Sequence, residues 1–296
     1  MRSGRHSIAA GPAVHRVLAR LERGTVLVLG GPGTGKTSLA GYLTAQLGRG
    51  LSRVAQLDAD PAQGAIGLGA CLGLALTAPW RAPAALWFAG HTSALERPLA
   101  TVVGTTRLAA RARGEGAELV VIDPPGTVAT AEGRDLLYHL AEAAGVDQVV
   151  ALERGDELDA LVDALGGRAE IYRLAPLAGA RPVADEERRA GLEARLKAHL
   201  AGGERHRFGR ARIVTAGWAQ PQEVAPGTVV GLLERAGFCL GLGVIEELGR
   251  ASVEVLAPHV DRSRIAHLQL GDLRCERPEG RSEDAPAAEL RLLRAG

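Results

Sequence analysis

The chain has 296 residues, enough for one large domain or one and a half, and its 46% hydrophobic content permits a substantial core. Aromatic residues make up only 3%, so that core is expected to be built from Leu, Val and Ala. A net charge of +1 gives no ground for a wholly basic nucleic-acid coat, and no apolar run reaches the length that crosses a membrane. In chain order, residues 12–22 read as a short leading helix, Thr25–Leu29 as a buried strand and Gly35–Leu47 as a helix. Val54–Leu57 reads as a second strand, followed by a Gly/Ala/Leu stretch to Leu76 that fits no element. Pro79–Gly90 reads as a loop carrying Trp80, Trp87 and Phe88. Helices are expected over Pro98–Arg113, Glu132–Ala144 and Glu157–Leu165, and strands over Leu119–Ile122, Gln148–Leu152 and Ile171–Leu174. Short apolar runs alternating with helices are the pattern of βαβ units and a mainly parallel sheet.

The character changes at Pro176. Asp185–Leu200 is charged and helical, with Leu192 and Leu196 four apart. Beyond Arg212, strands are expected over Ile213–Val214, Val229–Leu233, Leu240–Ile245, Val253–Leu256 and His267–Leu273. This predicts a domain over 1–212 that includes a helix at about 185–200, a small β-rich segment over 213–275 and a flexible tail over 276–296. Met1–His6 carries charge without a long apolar stretch after it, so no secretory signal is expected. Cys71, Cys239 and Cys275 are far apart and odd in number, which suggests neither a disulfide framework nor a zinc site. A cytoplasmic location fits both observations.

Residues 30–37 read Gly-Gly-Pro-Gly-Thr-Gly-Lys-Thr, a full G-x-x-x-x-G-K-T phosphate loop set between a strand and a helix. Its glycines allow successive backbone N–H groups to turn onto phosphate oxygens, and the helix N-terminus adds partial positive charge. Gly31, Pro32, Gly33, Thr34, Gly35, Lys36, Thr37 and Ser38 are the candidate ATP contacts. Lys36 would reach the β- and γ-phosphates, and Thr37 would hold Mg²⁺. Lys36 is one of two lysines in an arginine-rich chain, the other being Lys197, and stands where a compact ammonium is wanted.

Such a loop needs acidic strand ends beside it. Asp58 and Asp60 follow the second strand, and Asp123 ends the Leu119–Ile122 strand, so all three are candidate metal ligands. Asp60-Pro61-Ala62-Gln63 puts a carboxylate and an amide three apart in a turn, a pair able to take a proton and hold a phosphate or a metal-bound water. Turn formation ahead of Pro61 would explain Asp58 and Asp60 as well. Asp123-Pro124-Pro125-Gly126 is similar to the D-x-x-G turn of nucleotide hydrolases. Residues 168–212 carry eleven Arg/Lys against six Asp/Glu, a local basic zone able to draw in phosphates, or a plain solvated surface.

Taken together, the phosphate loop, the D-x-D-x-x-Q run Asp58–Gln63 and the Gly-rich stretch from Gly64 to Leu74 resemble the polynucleotide 5′-hydroxyl kinase family. That family includes the RNA kinase of the mRNA cleavage factor and the nucleolar kinase of rRNA processing. The stretches Gly227–Leu233 and Cys239–Ile245 resemble the β-rich end of its catalytic domain. The resemblance covers roughly residues 22–275. It implies an α/β P-loop NTPase fold with a mainly parallel sheet flanked by helices, an Arg-bearing lid helix and a small β-rich C-terminal segment. It also implies transfer of the γ-phosphoryl of ATP, or another NTP, to the 5′-hydroxyl of RNA or DNA with Mg²⁺. Lys36 would neutralise charge, Asp60 would deprotonate the hydroxyl, Gln63 would assist, and Arg188, Arg189 and Arg195 would close over the γ-phosphate. Gly126 would lie in the substrate clasp; Trp80 and Trp87, clustered with Phe88 in one loop, are candidate platforms for stacking on the terminal base, with burial under that loop as the alternative. The family's T-x-G-W clasp reads Pro124-Pro125-Gly126-Thr127 here, and its R-x-x-x-R lid spacing is not kept. With Gly30 opening the phosphate loop, the N-terminal β domain of the larger eukaryotic members is expected to be missing. A P-loop ATPase or GTPase switch, a small-molecule kinase and a catalytically silent accessory protein stay open, and nothing in the sequence speaks to oligomeric state.

Overall fold

β1 (Gly24–Gly30) is buried along nearly its whole length, as expected of a Val/Leu run covered on both faces of a parallel sheet. The computed structural model describes residues 11–76, 82–214, 224–276 and 291–293. β1 lies between β5 (Leu119–Asp123) and β6 (Gln148–Leu152), with β2 (Val54–Asp58) beyond β5 and β7 (Glu170–Leu174) beyond β6, all parallel. Side chains alternate across the sheet. Val26 and Val28 meet Val14 and Val17 of α1 (Pro12–Leu18) and Leu39 and Leu43 of α2 (Lys36–Leu47). Leu27 and Leu29 share the opposite core with Leu108 of α3 (Pro98–Gly114), Leu137 and Leu140 of α4 (Ala131–Ala144) and Leu161 of α5 (Asp159–Leu165). This is the α/β P-loop NTPase architecture, with a parallel-centred mixed sheet.

Two further strands change the picture beside β2. The unassigned Gly/Ala/Leu stretch ends in β3 (Cys71–Leu76), antiparallel to β2, and the segment read as a loop contains β4 (Ala85–Phe88), antiparallel to β3. Two reversals leave β4 pointing the same way as β2. Its C-terminal loop therefore emerges at the same sheet edge as the loop after β2. Leu86 and Phe88 are buried in alternation with Ala85 and Trp87, a period of two that Pro79 and Pro83 hide in the sequence.

The β-rich segment continues this sheet. Leu86 pairs with Cys239 of β11 (Cys239–Leu248), which pairs in turn with β10 (Thr228–Leu233) and β12 (Ser252–Ala257). β13 (His267–Glu276) lies beyond β10 and also receives the short β9 (Ile213–Val214). The unexpected β8 (Glu204–Gly209) lies ahead of the boundary expected at 212 and pairs along β12. Within the stretch expected as a tail, β14 (Arg291–Leu293) pairs with β13. α6 (Asp185–Leu200) has the bounds expected of the lid helix. Leu192, Leu196 and Leu200 bury its apolar stripe in one cluster with Val229, Leu242 and Val244. Full burial stabilises by about 1.5–3 kcal/mol per leucine, enough to seat an otherwise charged helix.

Candidate nucleotide and phosphoryl-transfer site

The loop from Gly30 to Lys36 turns sharply through Gly33 (φ +70°) and Gly35 (φ +96°), which L side chains adopt only with strain. Space demands glycine too. A Cβ on Gly33 would lie 2.4 Å from Pro182 N, and one on Gly35 2.9 Å from the Leu177 side chain. The segment leading into α6 thus lies directly on the phosphate loop, and Leu177 N donates to Thr34 O at 3.0 Å. Gly31 O accepts from Thr34 Oγ1 (2.9 Å) and Lys36 Nζ (3.3 Å). Lys36 is buried, and that burial pushes its pKa down, against the opposing pull of Asp123 and Asp60.

The Asp60–Gln63 turn sits across from Thr37. Asp60 Oδ2 accepts from Gln63 Nε2 (2.8 Å), Asp60 Oδ1 from Ala62 N (3.0 Å), and Gln63 Oε1 from the Thr37 hydroxyl (3.1 Å). A single chain of hydrogen bonds thereby joins the phosphate loop to the acidic turn. Asp58 differs from the expectation of a metal ligand. Its two oxygens accept from Asp60 N (3.1 Å) and Ile66 N (3.2 Å), so it builds the turn and does not line the cleft. Burial raises its pKa well above the carboxylate range, and Asp123 and Asp60 add to the rise. Asp123 is fully buried, and among the described residues neither of its oxygens has a hydrogen-bond partner. Its pKa is pushed up to about 6, chiefly by burial; Thr37 and Lys36 act against the shift. The Thr37 proton itself goes to Gln63. A magnesium ion arriving with nucleotide needs only one or two protein carboxylates and a hydroxyl, and the orphaned Asp123 oxygens beside Thr37 fit that need.

A cleft of about 730 Å³ opens above these groups. Pro32, Gly33, Gly35, Lys36, Thr37 and Ser38 form one wall, Asp60 and Gln63 another, and Pro125, Gly126 and Thr127 a third. Gly31 and Thr34 are buried behind the loop. A Cβ on Gly126 would lie 3.0 Å from Lys36 Nζ and 3.3 Å from Pro32 N, so this turn packs closely against the phosphate loop and a side chain here would require both neighbours to give way by a few tenths of an ångström. Of the lid arginines, Arg188 and Arg195 line the cleft, as their spacing of seven allows. Arg189 is exposed and off it, a correction to the expected set. Arg195 Nη2 donates to Gln63 O, tying α6 to the acidic turn, and half-burial lowers its pKa.

Trp87 is also a correction. Its ring packs edge-on to Phe238 (centroids 6.1 Å apart) with the Arg107 guanidinium 5.9 Å from its centroid, and it does not line the cleft. Trp80 lies outside the described residues. Sequence reasoning missed Thr92, Ser93 and Ala94 after β4, and Arg181 and Glu187 at the lid, all of which line the cleft. Reading Ala85–Phe88 as a strand would have placed Thr92 and Ser93 at the active edge.

A buried parallel strand, a glycine cradle and a lysine at a helix N-terminus define a P-loop nucleotide-binding protein. The chain belongs to the family described as mRNA cleavage and polyadenylation factor CLP1 P-loop, whose family model matches residues 30–202. It is 24% identical over 325 residues to a polyribonucleotide 5′-hydroxyl-kinase of Pyrococcus furiosus, covering 88% of this chain and 90% of that protein. A polyribonucleotide 5′-hydroxyl-kinase of Methanocaldococcus jannaschii is 21% identical over 319 residues, covering 85% and 87%. In fold it is similar to the solved structure of wild-type Clp1p bound to a Pcf11p fragment. That match has a TM-score of 0.70 and 16% identity, and covers 88% of this chain and 77% of that one. Among the described residues, no helix is long and apolar enough to cross a membrane.

Proposed function

We propose that this chain is a polynucleotide 5′-hydroxyl kinase that moves the γ-phosphoryl of ATP to the 5′-hydroxyl of RNA. The observation that carries the reading is the hydrogen-bonded chain Thr37–Gln63–Asp60, which aims a carboxylate into the same cleft as the phosphate loop. A hydrolase switch needs only to orient water, whereas a carboxylate held by an amide at an open cleft suits a substrate hydroxyl. The names of the two archaeal relatives support the same reading and favour RNA over DNA.

In this mechanism the glycine cradle holds the phosphates and Lys36 neutralises charge on the β- and γ-oxygens. The 5′-hydroxyl gives its proton to Asp60 as its oxygen attacks the γ-phosphorus. The bond from that phosphorus to the bridging oxygen breaks and ADP leaves. Gln63 keeps the Asp60 carboxylate turned toward the acceptor. Arg188 faces the transferring group from the lid, and closure excludes water that would compete with the hydroxyl. Thr37 and Asp123 would hold the magnesium ion, whose charge offsets the charge developing on the phosphate oxygens.

The test uses γ-labelled ATP, Mg²⁺ and a 5′-hydroxyl oligoribonucleotide, with the wild type and Asp60→Asn side by side. Label on the oligonucleotide is expected with the wild type. Asp60→Asn should lose transfer by at least about a hundredfold while its ATP affinity holds, the loss expected for a general base. Free phosphate alone would point to a hydrolase, and no turnover to an accessory protein.

A further inference from the structure

Arg154, two residues past β6, belongs to no motif, yet it touches the phosphate loop from outside. Nη2 of Arg154 donates to Pro32 O (3.3 Å) and to Gly33 O (2.9 Å). The geometry of a phosphate cradle gives this contact a meaning. When successive N–H groups converge on an anion, planar peptide bonds force their carbonyls to face away from it. Each outward carbonyl from Gly31 to Thr34 has a donor here. Gly31 O is served by Thr34 Oγ1 and Lys36 Nζ, and Thr34 O by Leu177 N. The two at the tip of the loop depend on one nitrogen of Arg154. The base of that side chain is itself fixed, because Glu157 accepts from Arg154 N and from Gly155 N, both at 2.8 Å.

We infer that Arg154 is a positioning residue for the nucleotide phosphates: it clamps the outward carbonyls of Pro32 and Gly33 so that the loop's N–H groups face the cleft before the ligand arrives. It is not an arginine finger, since its donating nitrogen is spent outside the loop and Arg154 does not line the cleft. This rests on the nucleotide-binding part of the proposed function and not on the identity of the acceptor. Removing the clamp returns freedom to a loop that must then be ordered by the phosphates, so binding weakens while the bound geometry survives.

The experiment compares wild type, Arg154→Ala and Arg154→Lys, measuring affinities for ADP and ATP by titration calorimetry and steady-state label transfer to a 5′-hydroxyl oligonucleotide. Arg154→Ala should weaken ADP and ATP by the same factor, roughly five- to tenfold for two lost charge-assisted hydrogen bonds at an exposed position. The rate at saturating ATP and the KM for the oligonucleotide should stay within about twofold, and Tm of the nucleotide-free protein should not move, because the contact is on the surface. Arg154→Lys, shorter and without the guanidinium fork, should recover only part of the affinity. Unchanged affinities, a fall in saturated rate with ADP binding intact, a lowered Tm, or full recovery with lysine would each overturn the inference. The binding arms read out even if the wild type transfers no label, so a failure of the kinase reading is told apart from a failure of the clamp.

Discussion

Asp123→Asn should stabilise the nucleotide-free protein while destroying its activity. The Asp123 carboxyl is fully buried, lacks a hydrogen-bond partner, and has its pKa pushed from 3.8 to about 6. A rise of about two units means that ionising it in the folded state costs about 3 kcal/mol more than in the unfolded chain. The sign follows from proton binding. Below pH 3.8 the group is protonated in both states and costs nothing; between 3.8 and about 6 the folded state holds the extra proton and stability falls as pH rises; above about 6 the full cost is present. Asparagine removes that cost but buries an amide that must find partners, at about 1–2 kcal/mol, so the expected net gain at pH 7.5 is about 1–2 kcal/mol. Urea denaturation at pH 7.5 and at pH 4 checks it, with the gap between variant and wild type shrinking toward zero at the lower pH. A variant no more stable than wild type at pH 7.5, or a gap independent of pH, would refute the claim that burial of this carboxylate outweighs what Lys36 and Thr37 return to it.

Gly33→Ala should lower nucleotide affinity by at least about tenfold, since its Cβ would meet backbone 2.4 Å away at a left-handed φ and a loss of 1.4 kcal/mol suffices for that factor; calorimetric titration with ADP reads it, and retained affinity would mean that the segment at 177–182 does not rest on the loop. Arg188→Ala and Arg189→Ala should separate sharply in a transfer assay. The first should lose roughly a thousandfold in rate if it meets the transferring group, and the second should stay within about twofold because it lies off the cleft. Equal losses would return Arg189 to the catalytic set.

What the sequence makes legible is governed by how local the signal is. The phosphate loop, the helix after it and α6 are specified within a dozen residues each, by glycine spacing or by a leucine at every fourth position, and their bounds agree with the structure to within a residue. β3 and β4 are specified by their neighbours. Gly73 lies so close to Ile66 that a Cβ would sit 1.8 Å from its carbonyl oxygen, and no window of β3 announces that contact. Because β4 carries no strand signal of its own, Trp87 reads as free to meet a base, whereas its ring is held against Phe238, and Thr92 and Ser93 gain their place at the cleft only through that strand. Asp58 and Asp60 show the limit within a motif. Both carboxylates belong to the D-x-D-x-x-Q run, but only the pattern of backbone donors reveals that Asp58 supports the turn while Asp60 faces the cleft.

α6 gains its position from two unrelated surfaces. Its N-terminal approach rests on the phosphate loop, through Leu177 against Gly35 and Pro182 against Gly33, whereas its C-terminal half is seated on the β-rich sheet by Leu192, Leu196 and Leu200. His199 strengthens that second seat, since its Nε2 accepts from Leu242 N at 3.0 Å; burial lowers its pKa and so favours the neutral ring this bond requires. Between the two seats, Arg195 reaches back to the carbonyl of Gln63, the residue that steadies Asp60. α6 is therefore held through its N-terminal approach at the phosphate loop and through its leucine stripe on the β-rich sheet. The β-rich segment is thus more than an appendage to the sheet: it seats the helix that brings Arg188 and Arg195 to the cleft.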